Sequence, residues 1–284
     1  MRSGAKRRLP AVLLPLLAAA LGLAGWAFWW EPGRVVLREV PLAVPGWRAE
    51  HAGLRVAVLA DLHVGSPHNG REKLRRVVRM VNRARPDAVV VLGDLVIQGV
   101  VGGSFVPPEE MAAELRGLRA PLGTFAVLGN HDWWLDAPRV ARALRSAGMV
   151  VVDDTAARVV SRGAPLWVAG VSDWWEGPHD VRRAVGAVTD DAPVLLLTHN
   201  PDVFPEVPAR VSLTVAGHTH GGQVRLPLVG RPVVPSRYGQ RYAAGHVVEG
   251  GRHLFVGTGV GTSILPVRFR VPPEVVVLVL SPLK

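Results

Sequence analysis

Five times along this chain an apolar run of six or seven residues breaks off at one polar residue. Leu54–Ala60 ends at Asp61, Ala88–Gly93 at Asp94, Thr124–Gly129 at Asn130, Pro193–Thr198 at His199, and Ser212–Gly217 at His218. Short, continuously apolar runs bounded in this way predict strands buried on both faces. Helical patterns lie between several of them, at Arg71–Ala84, Pro108–Leu118 and Ala137–Ala147. Strands alternating with helices imply a layered α/β fold. Residues 31–53 read as a linker and a first edge strand, with Val35–Val44 partly alternating. Gly221–Gly261 reads as loops and short strands, and Glu274–Leu280 as a last strand. No internal repeat or second domain is evident, so 54–284 is expected to be one domain.

In layered α/β folds, sites gather at the carboxyl ends of the strands. Five strand ends here carry Asp61 and His63, Asp94, Asn130 and His131, His199, and His218 and His220. Singly, each is more simply a turn former, a cap or a hydrogen-bonded structural residue. Together they share one end of their strands, so they are expected to share one cleft. Oxygen and imidazole donors suit Mn, Fe or Zn. The chain has no cysteine, which excludes thiolate metal sites, disulfides and a cysteine nucleophile. An Asp-x-His pair leaving a strand can aim both side chains at one ion, because the alternation of faces stops where the strand does. Asp94 is the natural carboxylate to bridge two ions.

In order, Asp61-Leu62-His63, Gly93-Asp94, Gly129-Asn130-His131-Asp132, Thr198-His199 and Gly217-His218-Thr219-His220 resemble the five motifs of the calcineurin-like metallophosphoesterases. The resemblance runs over roughly residues 50 to 225. The longer run to Gln223, the His199-Asn200-Pro201 step and the Gly257-Thr258-Gly259 segment look like the bacterial membrane-anchored branch. That branch includes phosphodiesterases and UDP-2,3-diacylglucosamine pyrophosphohydrolases. The resemblance implies an α/β/β/α sandwich and two divalent metal ions, with Mn favoured over Fe or Zn. It implies that Asp61, His63, Asp94 and His220 hold one ion, and that Asp94, Asn130, His199 and His218 hold the other. His131 would face the substrate as a catalytic residue, with Asp132 orienting it or else capping the following helix. The implied reaction is attack on phosphorus by a metal-bound hydroxide, without a phosphoenzyme.

The N-terminus adds a membrane expectation. Arg2, Lys6, Arg7 and Arg8 precede an uncharged stretch, Leu9–Trp30, that is long enough to cross a bilayer. It ends in Trp26, Phe28, Trp29 and Trp30, aromatics that favour the membrane interface. Residues 1–30 therefore read as a single-pass anchor, with a cleaved signal peptide as the alternative. The basic tail places the N-terminus in the cytoplasm and the catalytic domain on the far side. A UDP-linked lipid would instead be met on the cytoplasmic face.

The net charge of +10 favours anionic partners. Seven arginines and one acid lie between Arg225 and Arg270. Of these, Arg225, Arg237 and Arg241 are expected to bind substrate phosphate from a rim beside the site. Trp133-Trp134 and Trp174-Trp175 fall on loops near the motifs, where they pack the core or the loops, or else hold acyl chains, a base or a membrane interface. With the anchor, they point to a membrane-associated or lipid-linked phosphoester. The alternatives are a nuclease, a broad-specificity phosphatase or a non-catalytic metal scaffold. Nucleic acid is not the expected partner, because no repeat of basic and aromatic residues is present.

Overall fold

The computed structural model describes residues 13–283. The basic residues of the N-terminal tail and Pro10, part of the predicted anchor, lie outside the described residues. Helix α1 (Leu13–Gly25) continues through a π-helical turn (Trp26–Trp30) into α2 (Glu31–Gly33). No side chain of α1 is buried. The Leu13–Gly33 stretch is long and apolar enough to cross a membrane.

Twelve strands follow in two six-stranded sheets. The first is ordered β1 (Val36–Val44), β12 (Glu274–Pro282), β2 (Leu54–Leu59), β3 (Ala88–Leu92), β4 (Thr124–Val127), β5 (Val150–Val151). The second is ordered β10 (Gly245–Glu249), β11 (Arg252–Val256), β9 (Leu213–Ala216), β8 (Val194–Thr198), β7 (Ala164–Val171), β6 (Thr155–Ser161). Strands β2, β3 and β4 run parallel in one sheet, and β7, β8 and β9 run parallel in the other.

The two-residue period of a strand decides what each face packs against. Ala57, Leu59, Val89 and Val91 pack with Leu74, Val77, Val140 and Leu144 of the helices α3 (Arg71–Ala84) and α5 (Asn130–Ser146). Their neighbours Val56, Val58, Val90 and Leu92 turn the other way, onto Leu195, Leu197, Leu213 and Val215 of the second sheet. The outer face of that second sheet takes Val181 and Ala184 of α6 (Val181–Gly186), with Val203 and Phe204 of a 3-10 turn (Pro201–Glu206). The result is the expected α/β/β/α sandwich. Helix α4 (Pro108–Leu115) completes the first helical layer through Met111 and Leu115.

The five strands read from the sequence are present. The third helix begins seven residues earlier than its apolar period predicts, at Asn130 within the motif itself. Its first turn is capped by Asp132, whose Oδ2 accepts the Gly129 N–H at 3.0 Å. A kink follows at Asp136, whose Oδ1 accepts the Arg139 N–H at 2.9 Å and caps the second segment.

Candidate metal centre

Strands β2, β3 and β4 of the first sheet and β8 and β9 of the second end at the same side of the sandwich. The residues just past those ends are fully buried: Asp61 and His63, Asp94, Asn130, His199, and His218 and His220. Asp61 (φ 50°), His63 (φ 38°), Asp94 (φ 51°), His218 (φ 69°) and His220 (φ 50°) all occupy the left-handed region. For side chains other than glycine that costs roughly 1–2 kcal/mol each, and such strain concentrates at functional sites. It is held by cross-strand bonds: Asp61 N–H to Gly93 O at 3.1 Å, His63 N–H to Asp94 O at 2.8 Å, and His218 N–H to Asp61 Oδ1 at 2.9 Å.

The glycines of the motifs are explained by close approach. A Cβ on Gly129 would collide with Oδ1 and the backbone N of Asp94, and one on Gly217 would lie 2.7 Å from Oδ2 of Asp61. Neither position has room for a side chain between the two sheets' strand ends.

Donor atoms converge in two groups that share Asp94. In the first, Asp61, His63, Asp94 and His220 present ligand atoms within 4.8 Å of one another. His63 Nε2 lies 3.1 Å from His220 Nε2 and 3.4 Å from Asp94 Oδ2, and His220 Nε2 lies 3.6 Å from Asp61 Oδ1. In the second, His199 Nε2 lies 3.3 Å from Asp94 Oδ2, 3.2 Å from Asn130 Oδ1 and 3.0 Å from His218 Nδ1. Donors bonded to one ion at about 2.1 Å stand about 3.0–3.4 Å apart. Apart from the 3.6 Å between His220 and Asp61, the spacing in both groups is what a cation between the donors requires. His199 Nδ1 faces Leu92 O at 2.6 Å, which fixes the ring and leaves Nε2 for the site.

The electrostatics fit the same donor set. Burial pushes Asp61 up to about 7, drives His63 and His218 down to about 3, and holds His220 well below the ordinary imidazole range. These imidazoles are neutral and keep a lone pair to donate. Burial also opposes charge on Asp94, but His199, His63 and His131 outweigh it and hold that carboxyl well below the usual range. Burial works against the His199 cation as well, yet the charge and hydrogen bond of Asp94 carry it up to about 10. A buried carboxylate that faces the neutral imidazoles of His63, His218 and His220, and that draws a proton onto His199, favours a cation at its centre.

His131 stands beside the donors rather than among them. Its Nε2 is 4.0 Å from Asp94 Oδ2, its backbone N–H donates to Asp94 Oδ1 at 2.9 Å, and its ring packs on Trp134 at 4.7 Å. It lines a cavity of about 670 Å³ with Asp94, Asn130, His218 and His220. The rest of that lining is mainly apolar: Trp134, Trp175, Val233, Ile264, Leu265 and Val267. One tryptophan of each pair thus faces the cavity, Trp134 near-parallel to Trp175 at 6.5 Å. Trp133 and Trp174 pack against the core instead.

Asp132 takes the second of the two roles expected of it, and the three arginines expected at the rim lie away from the cavity lining. Asp132 does not orient His131. Its carboxylate accepts the backbone N–H groups of Gly129, Leu95 and Val96, so it caps α5 and ties the β3 loop to it. Arg225, Arg237 and Arg241 do not line the cavity. Arg237 lies over the Trp174 ring, and Arg241 pairs with Glu249 at 2.5 Å. Arg225 lines a separate cavity with Arg38, Arg231 and Arg270. The Gly- and Pro-rich composition does mark these segments as loops, but it carries no signal for which way each loop turns.

Sequence reasoning passed over Asp173 and Arg268. Asp173 is buried, and its Oδ2 accepts the N–H groups of Trp175 and Glu176, which sets Trp175 against His218 at 4.4 Å. Arg268 is wholly buried and donates to the carbonyls of Thr258, Gly259, Gly261 and Val271. It braces the loop that packs on Asp61 and His63. Nothing in its local sequence separates it from the surface arginines around it.

Comparison with known proteins agrees with this geometry. Residues 54–222 match the calcineurin-like phosphoesterase family. An uncharacterized metallophosphoesterase of Bacillus subtilis, YkuE, is 29% identical over 94% of this chain and 93% of its own length. The phosphodiesterase YaeI of Escherichia coli is 31% identical over 96% of this chain and 98% of its own. A transmembrane protein with metallophosphoesterase domain from Danio rerio is 31% identical over 95% of this chain, which spans 62% of that relative's length.

Proposed function

The chain belongs to the calcineurin-like phosphoesterases and is a phosphoester hydrolase, and from that premise we propose that it is a two-metal phosphodiesterase or pyrophosphohydrolase acting on a lipid-linked or membrane-associated phosphoester. The observation that carries this reading is the pairing of two donor groups sharing Asp94 with a large, mainly apolar cavity above them. Asp61, His63, Asp94 and His220 would hold one divalent ion, and Asp94, Asn130, His199 and His218 the other. Mn is the favoured ion, with Fe or Zn as alternatives. Such ions supply a nucleophile from water near neutral pH and neutralise charge on the phosphoryl oxygens.

The protein's own residues supply the rest. His131 lines the cavity beside the donors and would give a proton to the leaving oxygen. Its backbone bond to Asp94 fixes its position relative to both donor groups. Trp134 and Trp175 form an aromatic wall for an acyl chain, an aryl group or a base. Among the described residues no arginine lines the cavity, which favours the phosphodiesterase reading over the pyrophosphohydrolase one. The E. coli relative named a phosphodiesterase supports the diester reading.

The test is a substrate comparison with metal-loaded protein. It sets a bis-aryl phosphodiester and an aryl monoester beside a lipid-linked diphosphate, UDP-diacylglucosamine and single-stranded DNA. The expected order has the diester above the monoester and an acylated substrate above DNA. Faster turnover of the monoester or of DNA would overturn the proposal.

A further inference from the structure

Six large apolar side chains stand exposed on three loops, two of them, Ile264 and Leu265, at the cavity itself; the others are Val101, Phe105, Leu228 and Val229. Leu228 is fully exposed and Ile264 is 71% exposed. The loops form one surface. Val101 N–H donates to Ile264 O at 3.0 Å, and the Gln223 side chain reaches Ser263 O at 3.1 Å and Leu265 O at 3.4 Å. Leu228 sits at the tip of a turn closed by Leu226 and Gly230. Ile264 and Leu265 also line the cavity. Large apolar side chains exposed together on loops bonded to one another, beside a cavity, mark an interaction surface more often than a free one.

The foot of the apolar N-terminal helix is fastened to this same surface. Three residues beyond Leu265, Arg268 N–H donates to Ala27 O at 2.9 Å. Glu31 Oε1 accepts the Val271 N–H at 2.7 Å, and Lys73 Nζ donates to Pro32 O at 2.7 Å. His68 packs edge-on to Trp29 at 4.9 Å, and its Nε2 lies 3.1 Å from Phe28 O. The Leu13–Gly33 stretch is long and apolar enough to cross a membrane, and its last turns are the part bonded to the domain. A helix of that length, bonded at its foot to the domain, sets the plane in which the domain meets the membrane. Charge at the foot is complementary to a bilayer as well. Arg38, Arg225, Arg231 and Arg270 line one cavity of about 270 Å³ beside Val271. Its one acid, Glu274, is paired with Arg38 at 2.8 Å.

We propose that this collar is a membrane-docking surface: its apolar tips sit in the leaflet next to the helix foot, and the four-arginine cavity faces anionic lipid headgroups. Hydrophobic side chains enter the acyl region, and arginines at the headgroup level gain from the negative surface potential. The cavity mouth then opens at the lipid surface. This placement does not depend on what the metal centre hydrolyses.

The chain has no cysteine, so single labels are unambiguous. Full-length protein carrying Leu228→Cys, Val229→Cys or Ile264→Cys would be tagged with an environment-sensitive fluorophore. Each would be reconstituted in phosphatidylcholine–phosphatidylglycerol vesicles with brominated acyl chains. Val160→Cys is the control, because Val160 is exposed and pairs with Pro165 at the end of β7 away from the site. The collar labels should be quenched strongly by the brominated lipid and the Val160 label hardly at all. Lowering the phosphatidylglycerol content should reduce collar quenching. Collar labels quenched no more than the control, or all labels quenched alike, would overturn the proposal.

Discussion

The backbone N–H of His131 donates to Oδ1 of Asp94 at 2.9 Å, while Oδ2 of the same carboxylate faces His63 at 3.4 Å and His199 at 3.3 Å. One oxygen is thus spent on positioning the helix that carries His131, and the other is left to both donor groups. Asp94→Ala should therefore lose both ions and all measurable turnover. Asp61→Ala should lose ion from one group only, because Asn130, His199 and His218 keep Asp94 as a partner. Metal analysis of the purified variants decides this. An Asp94→Ala protein with undiminished metal would remove Asp94 from the bridging position.

His131 should behave differently from the ligands. It lies 4.0 Å from Asp94 and faces the cavity. His131→Ala should lower kcat by about 10²–10⁴-fold, the usual contribution of a positioned acid or base. Its metal content should match the wild type. Loss of one ion would instead make His131 a ligand.

Trp134 and Trp175 form the aromatic wall of the cavity, and each is also half exposed. Replacing both with alanine should raise KM for an acylated or aryl substrate by roughly tenfold or more, since each aromatic contact contributes about 0.5–1.5 kcal/mol. kcat should fall by less than KM rises, because the indoles reach the centre only through ring packing, Trp134 on His131 and Trp175 on His218. Kinetics on an acylated and a small alkyl substrate would show the split. Equal losses on both substrates would point to a role in holding the loops.

Most of the fold was legible because buried parallel strands leave continuous apolar runs, and each run here stops at the residue that the site uses. The donor residues could be grouped from sequence for the same reason, since strand ends converge. Three features were not legible. Asp132 follows a motif histidine, yet its carboxylate is spent on backbone N–H groups, a choice that depends on where α5 begins. The direction taken by Arg225, Arg237 and Arg241 depends on loop conformation, which composition does not encode. Arg268 looks like its surface neighbours, and only the packing of the Gly257–Gly261 loop puts it inside.

Helices α3 and α4 are joined by Glu114, which accepts from Arg71 and Arg75 at 2.7 Å. The hydrogen bond from Arg75, aided by Arg71 against the opposing effect of burial, holds its carboxyl at about 2, below the ordinary 4.5. The folded value lies below the unfolded one, so the stabilisation is complete above the unfolded range and is lost as pH falls through the folded value. Glu114→Gln should lower Tm slightly at neutral pH, and the gap to the wild type should close as pH drops from about 5 toward 2. A gap that widened with acid would reverse the assignment. High salt should narrow the gap at neutral pH, because the pair is near the surface.

The most direct measurement is hydrolysis of an aryl phosphodiester by the full-length protein at controlled metal content. Chelation should remove two divalent ions per chain and abolish turnover, and adding back Mn should restore both. Full turnover in a rigorously metal-free preparation would contradict a two-metal centre built on Asp94.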